Sequence, residues 1–235
     1  MAIPPHEAAR FEALALQAGE RLEGESPKVI LSWVADTFGD RWCVAASMAD
    51  ALLIDMASAV MPGVHVVFLD TGYHFAETLA TRDRIAQRYP ITLHSIEPRQ
   101  TVAQQDATFG PRLHDRDPDA CCSLRKVEPL RRALSDYWAW GSGIRRDETE
   151  SRRNAKVVEW DPKRQMVKIN PIAAWTQQEV DEYTMTHDVE VNPLIYDGYP
   201  SIGCAPCTRR VMPGEDARSG RWTRGSKTEC GIHLN

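Results

Sequence analysis

The sequence predicts an α/β fold: an open, mainly parallel, twisted sheet with helices on both faces, followed by a mobile C-terminal tail. Two observations lead to this prediction. Short apolar runs typical of buried strands alternate with longer segments of helical periodicity, and this alternation favours a parallel sheet with right-handed crossovers. From Asn192 onward the chain is rich in Gly and Pro and has little periodicity. We therefore expect residues 1–200 to form the α/β domain and residues 201–235 to form a C-terminal segment.

The individual elements follow from the spacing of apolar residues. Helical patterns cover residues 5–23 and 27–38, and the apolar run at 42–46 predicts the first strand. Ser47 follows as a helix cap with Asp50 three residues on, which predicts a helix over 49–60. The later predicted elements are strands at 64–69, 91–96 and 138–144, helices at 75–88 and 121–136, a hairpin of strands at 156–160 and 166–169, and a helix from the capping box at Thr176 to His187.

Composition excludes several classes of protein. Hydrophobic residues make up 43% of the 235 positions and charged residues 26%, which excludes a disordered chain, a coiled coil and a collagen-like repeat. The 28 Lys and Arg against 33 Asp and Glu give a net charge of −5, so nucleic-acid binding is not expected. Residues 1–14 lack the apolar core of a secretory signal, and no segment has the ~20 apolar residues of a membrane helix. We expect a cytoplasmic protein without membrane contact, and the oligomeric state stays open, a homo-oligomer included.

Four of the six cysteines form two pairs, Cys121-Cys122 and Cys204-Ala205-Pro206-Cys207. In a reducing compartment such pairs are expected as metal ligands rather than as part of a disulfide framework. Four thiolates hold zinc or an iron–sulfur cluster. Adjacent cysteines lack the spacer of a zinc knuckle, so a cluster with several irons suits them better. Zinc remains an alternative, as do two structural cysteines beside an unrelated turn.

The helix expected at residues 121–136 begins with the first cysteine pair. The free N–H groups and the dipole at a helix N-terminus favour thiolates. Arg125 and Lys126 follow in the same helix and add positive charge beside a cluster that is negative together with its thiolates.

The other two cysteines differ in context. Cys43 lies in an apolar strand and is expected to be a core residue. Cys230 lies in the tail before Gly231, and a reactive thiol needs exposure and positive surroundings. His233 would add charge when protonated. The tail also carries Arg218, Arg221, Arg224 and Lys227 before the cysteine. Taken alone, a terminal cysteine is more often inert than catalytic.

Two turns and a basic run predict an anion site. The Ser47 turn and the turn at Leu69-Asp70-Thr71-Gly72 both follow predicted parallel strands, and ligands of open α/β sheets bind at the carboxyl ends of strands. Arginine suits bidentate binding of phosphate or sulfate, and four arginines follow the strand at 138–144: Arg145, Arg146, Arg152 and Arg153. The alternatives are a capped helix that binds nothing and a solvated surface run.

Together these features resemble one family, the assimilatory phosphoadenylyl- and adenylyl-sulfate reductases. The resemblance runs from about Trp42 to His233. It is carried by Leu69-Asp70-Thr71-Gly72, Cys121-Cys122-Ser123-Leu124-Arg125-Lys126-Val127, Ile202-Gly203-Cys204-Ala205-Pro206-Cys207 and Glu229-Cys230-Gly231-Ile232-His233. The last motif is highly specific. The two cysteine pairs resemble the subgroup with a four-iron, four-sulfur cluster that uses adenosine 5′-phosphosulfate, and the shared stretches look closest to actinobacterial members.

The resemblance implies an adenine nucleotide alpha hydrolase-like fold, with a nucleotide-binding domain over 1–200, and a reaction. The Cys230 thiolate would attack the sulfur of the phosphosulfate and expel AMP, and thioredoxin would release sulfite from the resulting S-sulfocysteine. Cations must surround an anionic centre that a thiolate attacks. The implied substrate-binding residues are Lys126, Arg218, Arg221 and His233 around the phosphosulfate and Arg152, Gly72 and the Ser47 turn around the nucleotide; the cluster ligands are Cys121, Cys122, Cys204 and Cys207. The tail would act as a lid.

One stretch departs from the pattern of relatives that activate substrates with ATP. Those carry a Ser-Gly-Gly-x-Asp-Ser loop, whereas residues 45–50 read Ala-Ala-Ser-Met-Ala-Asp and lack the glycines that let a backbone approach pyrophosphate. This weakens an ATP pyrophosphatase interpretation. The alternatives that stay open are a reductase of the 3′-phosphorylated substrate, a cluster-bearing redox sensor without turnover, and a zinc-stabilised nucleotide-binding module.

Overall fold

A six-stranded sheet organises the protein. The structure, a computed structural model, describes residues 3–222, 227 and 229–232. The strands are β1 (Trp42–Ala46), β2 (Val64–Leu69), β3 (Ile91–Ile96), β4 (Ala139–Gly141), β5 (Val158–Asp161) and β6 (Met166–Ile169). Their order is β3-β2-β1-β4-β6-β5, and only the edge strand β5 runs antiparallel to its neighbour. The expected open, mainly parallel sheet is confirmed.

Helices lie before β1, in the crossovers between the parallel strands and after β6. They are α1 (Pro5–Leu22), α2 (Pro27–Phe38), α3 (Leu52–Val60), α4 (Ala76–Arg88), α5 (Val102–Phe109), α6 (Leu113–Arg116), α7 (Pro118–Cys122), α8 (Glu128–Ala133) and α9 (Gln177–Thr186). A π-helical turn at Ser123–Val127 joins α7 to α8. Such turns occur mostly as single bulges within helices and are frequent at functional sites.

The core lies on both sides of the central strands. All described residues of β4 and β6 are buried, as expected for parallel strands covered on two faces. α1 approaches the sheet so closely that a Cβ at Gly19 would lie 2.5 Å from the Val158 carbonyl oxygen. Cys43 is fully buried in β1, and burial raises the pKa of its thiol. The expectation that Cys43 is a core residue is confirmed.

Three local predictions were wrong. Ser47 does not cap α3, because the chain turns through Met48 at φ 61° and the helix begins only at Leu52, whose N–H donates to Asp50 Oδ1. Cys121 and Cys122 do not open a helix; they end α7, which begins at Pro118. The strand expected at 138–144 covers only Ala139–Gly141.

The C-terminal part, from residue 192 to 222, contains only short 3-10 turns among its described residues. The described tail residues pack inward: Glu229 is 7% exposed and Cys230 8%. The mobility of this tail and the division at residue 200 stay predictions. Among the described residues, no helix has both the length and the apolar character to cross a membrane.

Candidate active site

The turn after β2 anchors one side of the site. Thr71 is fully buried, and its Oγ1 lies 3.3 Å from the Sγ of Cys204. The backbone N–H of Ala205 donates to the Tyr73 carbonyl at 2.7 Å. Gly72, at φ 70°, gives the turn its shape, since a Cβ there would lie 3.1 Å from Arg125 Nη2. A turn at the carboxyl end of a strand therefore fixes the second cysteine pair.

The π-helical turn forms the other side of the site, facing the turn after β2, and carries two cations, Arg125 and Lys126. Arg125 is 3% exposed and donates to the Thr71 carbonyl and to Gln105 Oε1, so it joins this turn to the turn after β2. Lys126 is half-buried. Burial lowers the pKa of Lys126, but the thiols of Cys204 and Cys230 outweigh it and raise that pKa above the ordinary value. Lys126 is therefore a charged ammonium among thiols.

One cavity gathers the two cysteine pairs. Its lining includes Cys121, Cys122, Cys204 and Cys207 together with Tyr73, Arg125, Lys126 and Trp222. The four cysteines form no disulfide. Over residues 3–222, 227 and 229–232, no three His, Cys, Asp or Glu side chains form a site for a single metal ion.

The donor set of this cavity fits an anionic iron–sulfur cluster. Burial and the neighbouring thiols of Cys204 and Cys207 raise the pKa of Cys121 to about 11, so this thiol resists becoming a thiolate by itself. Ligation to metal deprotonates such thiols. Lys126 and Arg125 lie where they would compensate the net negative charge of a cluster with four thiolates.

Cys230 lies beside the cavity, against Cys122. The two thiols are hydrogen-bonded to each other and pack with Trp222. The hydrogen bond from Cys122 and the positive charges of Lys126 and Lys227 hold the pKa of Cys230 below its ordinary value, against burial, which raises it. The positive charges of Lys126 and Lys227 favour the thiolate, which is the nucleophilic form, whether or not Cys122 keeps its proton.

A buried cluster of charges precedes the cysteine in sequence. The Nε of Arg152 lies 2.8 Å from Glu229 Oε1, and its Nη2 donates to Oε2 at 2.9 Å. Arg218 Nη2 lies 3.3 Å from the same Oε2. The Arg152 side chain is 10% exposed, that of Arg218 16% and that of Glu229 5%. Arg152 also donates to Glu148 at 2.5 Å, so two carboxylates hold it.

Arg221 lies between this cluster and the cysteines. Its Nη1 donates to Ser201 Oγ and to the Ile202 carbonyl, both at 3.1 Å, and its guanidinium lies 4.5 Å from the Trp222 ring centroid. Burial and the charge of Arg218 lower the pKa of Arg221, while the thiols of Cys204 and Cys230 raise it. The residue is therefore held between cations and thiols.

Other candidates lie elsewhere. Ser47 is exposed at the carboxyl end of β1, and no described contact joins its side chain to the cysteine cavity. Arg145 and Arg146 pair with Asp147 and Glu23 respectively. Arg153 pairs with Glu150, both largely exposed, so it lies on the surface. His233 lies outside the described residues.

The role of Glu229 cannot be predicted from the sequence. The sequence shows the surrounding arginines as a positive region, but not that a single carboxylate binds two of them. The available signal was an acidic residue directly before the predicted nucleophile in a basic stretch. The motif that contains Thr71 likewise does not reveal its contact with Cys204.

Comparison with known proteins identifies the family. The profile of the phosphoadenosine phosphosulfate reductase domain matches residues 42–210. Adenosine 5′-phosphosulfate reductase of Streptomyces coelicolor is 58% identical over 95% of this chain and 94% of that protein. The enzyme of the same name from Mycolicibacterium smegmatis is 50% identical over 94% of each chain. The chain therefore belongs to the phosphoadenosine phosphosulfate reductase domain family, and the expected similarity to actinobacterial members is confirmed.

Solved structures agree on the fold. A phosphoadenylyl-sulfate reductase from Candida auris, crystallised with phosphate, superposes with a TM-score of 0.72 at 26% identity, covering 90% of this chain and 99% of that one. An FMN adenylyltransferase from Candida glabrata reaches a TM-score of 0.59 at 10% identity over 98% of this chain and 85% of that one, which concerns the fold alone. The adenine nucleotide alpha hydrolase-like fold is confirmed.

Proposed function

We propose that the protein reduces adenosine 5′-phosphosulfate to sulfite and AMP, with thioredoxin as the electron donor. The observation that carries the proposal is the position of Cys230, a buried thiol close to Lys126 and Lys227 and adjacent in sequence to the carboxylate that binds Arg152 and Arg218. The relatives at 58% and 50% identity are named for the same substrate. The protein would thus be a cytoplasmic oxidoreductase of sulfate assimilation, which leads to cysteine.

The reaction has two halves. The Cys230 thiolate attacks the sulfur of the phosphosulfate, the bond from that sulfur to the phosphate oxygen breaks, and AMP leaves with the electron pair. One thiol of reduced thioredoxin then attacks Cys230 Sγ in the S-sulfocysteine, and sulfite leaves. The second thioredoxin thiol resolves the mixed disulfide and returns Cys230 as a thiol. Both electrons therefore come from the thioredoxin dithiol.

The cations of the site stabilise this attack. A thiolate approaching an anionic sulfuryl group is repelled unless fixed positive charges compensate both. Lys126, Arg218 and Arg221 are the described candidates around the phosphosulfate. We assign Arg152, Gly72 and the Ser47 turn to the nucleotide, since the two turns follow β1 and β2 at the sheet edge where nucleotides bind in open α/β folds. His233 completes the proposed set.

The four paired cysteines are the proposed ligands of a four-iron, four-sulfur cluster. When bound, the cluster would contribute structure and charge near Lys126, without net electron transfer. Lys126 lies between this cavity and Cys230, so it would compensate negative charge on either side. Cys43 and Cys230 are not ligands in this proposal.

The first half-reaction tests the proposal. Enzyme incubated anaerobically with adenosine 5′-phosphosulfate but no thioredoxin should release one AMP per site, gain one sulfonate on Cys230 and then stop. Cys230→Ser should bind the nucleotide and release no sulfite. Cys43→Ser is the matched control, because Cys43 is fully buried in β1; it should keep turnover. A sulfonate on another cysteine would refute the mechanism.

Iron analysis tests the cluster separately. Iron and sulfide per chain should fall in the serine variant of each paired cysteine and stay unchanged in Cys230→Ser. Full cluster content in Cys122→Ser would remove that residue from the ligand set. This readout does not depend on turnover.

The second candidate is reduction of the 3′-phosphorylated substrate. It is favoured by the likeness to the Candida auris enzyme. An added phosphate without new cations is poorly compensated, which costs about 2 kcal/mol or more and lowers the rate tens of fold. We therefore expect kcat/KM to be higher for the substrate with a free 3′-hydroxyl at equal ionic strength. Equal values, or the opposite preference, would favour the second candidate.

A further inference from the structure

Two anchors on either side of Cys230 hold the tail against the protein. Before the cysteine, Glu229 binds Arg152 and Arg218. After it, Arg164 Nη2 donates to the Ile232 carbonyl at 2.8 Å. The thiol between them is only 8% exposed. The described part of the tail is thus closed over the thiol. Neither a nucleotide nor a protein reductant can reach Cys230 unless the tail moves.

The two anchors differ in what else their arginines can bind. Arg164 is committed to Asp161, a fully buried carboxylate whose Oδ2 lies 2.7 Å from its Nη1. Arg152 and Arg218 instead present buried guanidiniums to the two oxygens of Glu229, and Thr149 Oγ1 donates to the same carboxylate at 3.2 Å. Like a carboxylate, phosphate and sulfate present a pair of oxygens that a guanidinium can bind. A nucleotide anion can therefore take the place of Glu229, but not that of Asp161.

We propose that Glu229 is a positioning residue that acts as a releasable latch: its carboxylate occupies the anion site of Arg152 and Arg218 when substrate is absent, and thereby holds Cys230 in the closed tail. Binding of an oxyanion to these arginines displaces the carboxylate and frees the thiol, while Arg164 keeps the tail attached. The identity of that anion as a phosphosulfate rests on the proposed function; the latch itself does not.

Glu148 keeps Arg152 in place when an anion replaces the Glu229 carboxylate. It stays on Arg152 Nη1, so the guanidinium remains oriented when Glu229 leaves. Arg218 keeps a contact to Ser201 Oγ at 3.5 Å. Each of the two cations therefore keeps a partner other than Glu229 when an anion arrives.

One kinetic consequence distinguishes a latch from a merely structural ion pair. If Glu229 competes with the substrate for Arg152 and Arg218, its removal strengthens substrate binding. Glu229→Gln should therefore lower KM. A structural ion pair would raise KM or leave it unchanged.

The deciding experiment is alkylation of Cys230 in the anaerobic protein, mapped by peptide mass spectrometry. Glu229→Gln should react with iodoacetamide about tenfold faster or more, because a buried charged hydrogen bond is lost. Inorganic sulfate should accelerate the wild type more than chloride of equal ionic strength does, and should leave Glu229→Gln unchanged. Glu150→Gln is the matched control, because Glu150 forms an exposed pair with Arg153 nearby.

The outcomes separate this inference from the proposed function. An unchanged alkylation rate in Glu229→Gln, or equal effects of sulfate and chloride, would overturn the latch. A wild type that alkylates as expected but releases no AMP from adenosine 5′-phosphosulfate would overturn the proposed function and leave the latch standing. If Glu229→Gln does not fold, Thr149→Val decides instead, with a smaller acceleration expected and an unchanged rate refuting the proposal.

Discussion

Asn192→Ala tests how the turn after β1 is held in place. Asn192 is fully buried. Its Nδ2 donates to the Met48 carbonyl at 3.2 Å and to Thr78 Oγ1 at 3.1 Å, and its Oδ1 accepts from the Leu194 N–H at 3.1 Å. One side chain thus joins the left-handed turn at Met48 to α4 and to the start of the C-terminal part.

The expected loss follows from these three bonds. A typical buried hydrogen bond contributes about 1 kcal/mol net, and an orphaned buried partner costs about 1–3 kcal/mol. Thr78 can turn its hydroxyl toward another acceptor, whereas the Met48 carbonyl and the Leu194 N–H have fixed directions. We expect the free energy of unfolding to fall by about 3 kcal/mol, a large share of the roughly 5–15 kcal/mol of an ordinary domain.

Urea denaturation of the anaerobic protein measures this loss, with Asn154→Ala as the control because Asn154 is exposed. The control should stay within about 0.5 kcal/mol of the wild type. A loss below about 1 kcal/mol in Asn192→Ala would refute the reasoning, since water would then replace the amide at little cost.

Because the turn carries Ser47, KM for the nucleotide should also rise in Asn192→Ala. An unchanged KM despite lost stability would remove Ser47 from the site.

Three further variants probe the site and its support. In Gly203→Ala the new Cβ would lie 2.3 Å from Arg221 Nη2, so the guanidinium must move and nucleotide affinity, measured by calorimetry, should fall about tenfold; unchanged affinity would place Arg221 outside the site. In Lys168→Met, Glu159 loses its ion-pair partner at 3.0 Å and keeps the hydrogen bond from Asn170, so stability should fall by about 1–3 kcal/mol, and adding Glu159→Leu should restore most of it. Arg164→Met should speed alkylation of Cys230 with or without sulfate, because it removes the anchor that no anion replaces; a wild-type rate would contradict this role.

The sheet was predictable because its signals are local. Each parallel strand is a short apolar run, and the hairpin of β5 and β6 and the capping box at Thr176 lie within a few residues of sequence. The start of α3 was not predictable in the same way. The Ala51 N–H donates to the Glu190 carbonyl at 2.9 Å. Because this hydrogen bond joins two segments far apart in sequence and keeps residue 51 outside the helix, α3 does not begin at Ser47.

In the candidate site, too, the residue types could be predicted from the sequence, but their long-range contacts could not. Residue type and pairing predict the four paired cysteines as one set, and the family resemblance adds Cys230, Arg152, Arg218 and Arg221. Their partners were not visible: Glu229 binds Arg152 from 77 residues away, and Thr71 contacts Cys204 from 133 residues away. The helix that ends at Cys122 begins earlier than expected because Asp117 caps it by accepting from Ala120 N–H.

Segments outside the sheet build the cysteine cavity. The end of α7 supplies Cys121 and Cys122, and the π-helical turn supplies Arg125 and Lys126. The second cysteine pair lies at the 3-10 turn of residues 205–207, and the turn after β2 contributes Tyr73. In the proposed function, the nucleotide binds at the carboxyl ends of β1 and β2, as ligands do in other open α/β folds. The likeness to an adenylyltransferase concerns the fold alone, whereas the segments outside the sheet carry the paired thiols. Glu229 pairs with Arg152 and Arg218 directly before Cys230 in sequence, so in the proposed latch the charges that bind an anion would also control the position of the thiol.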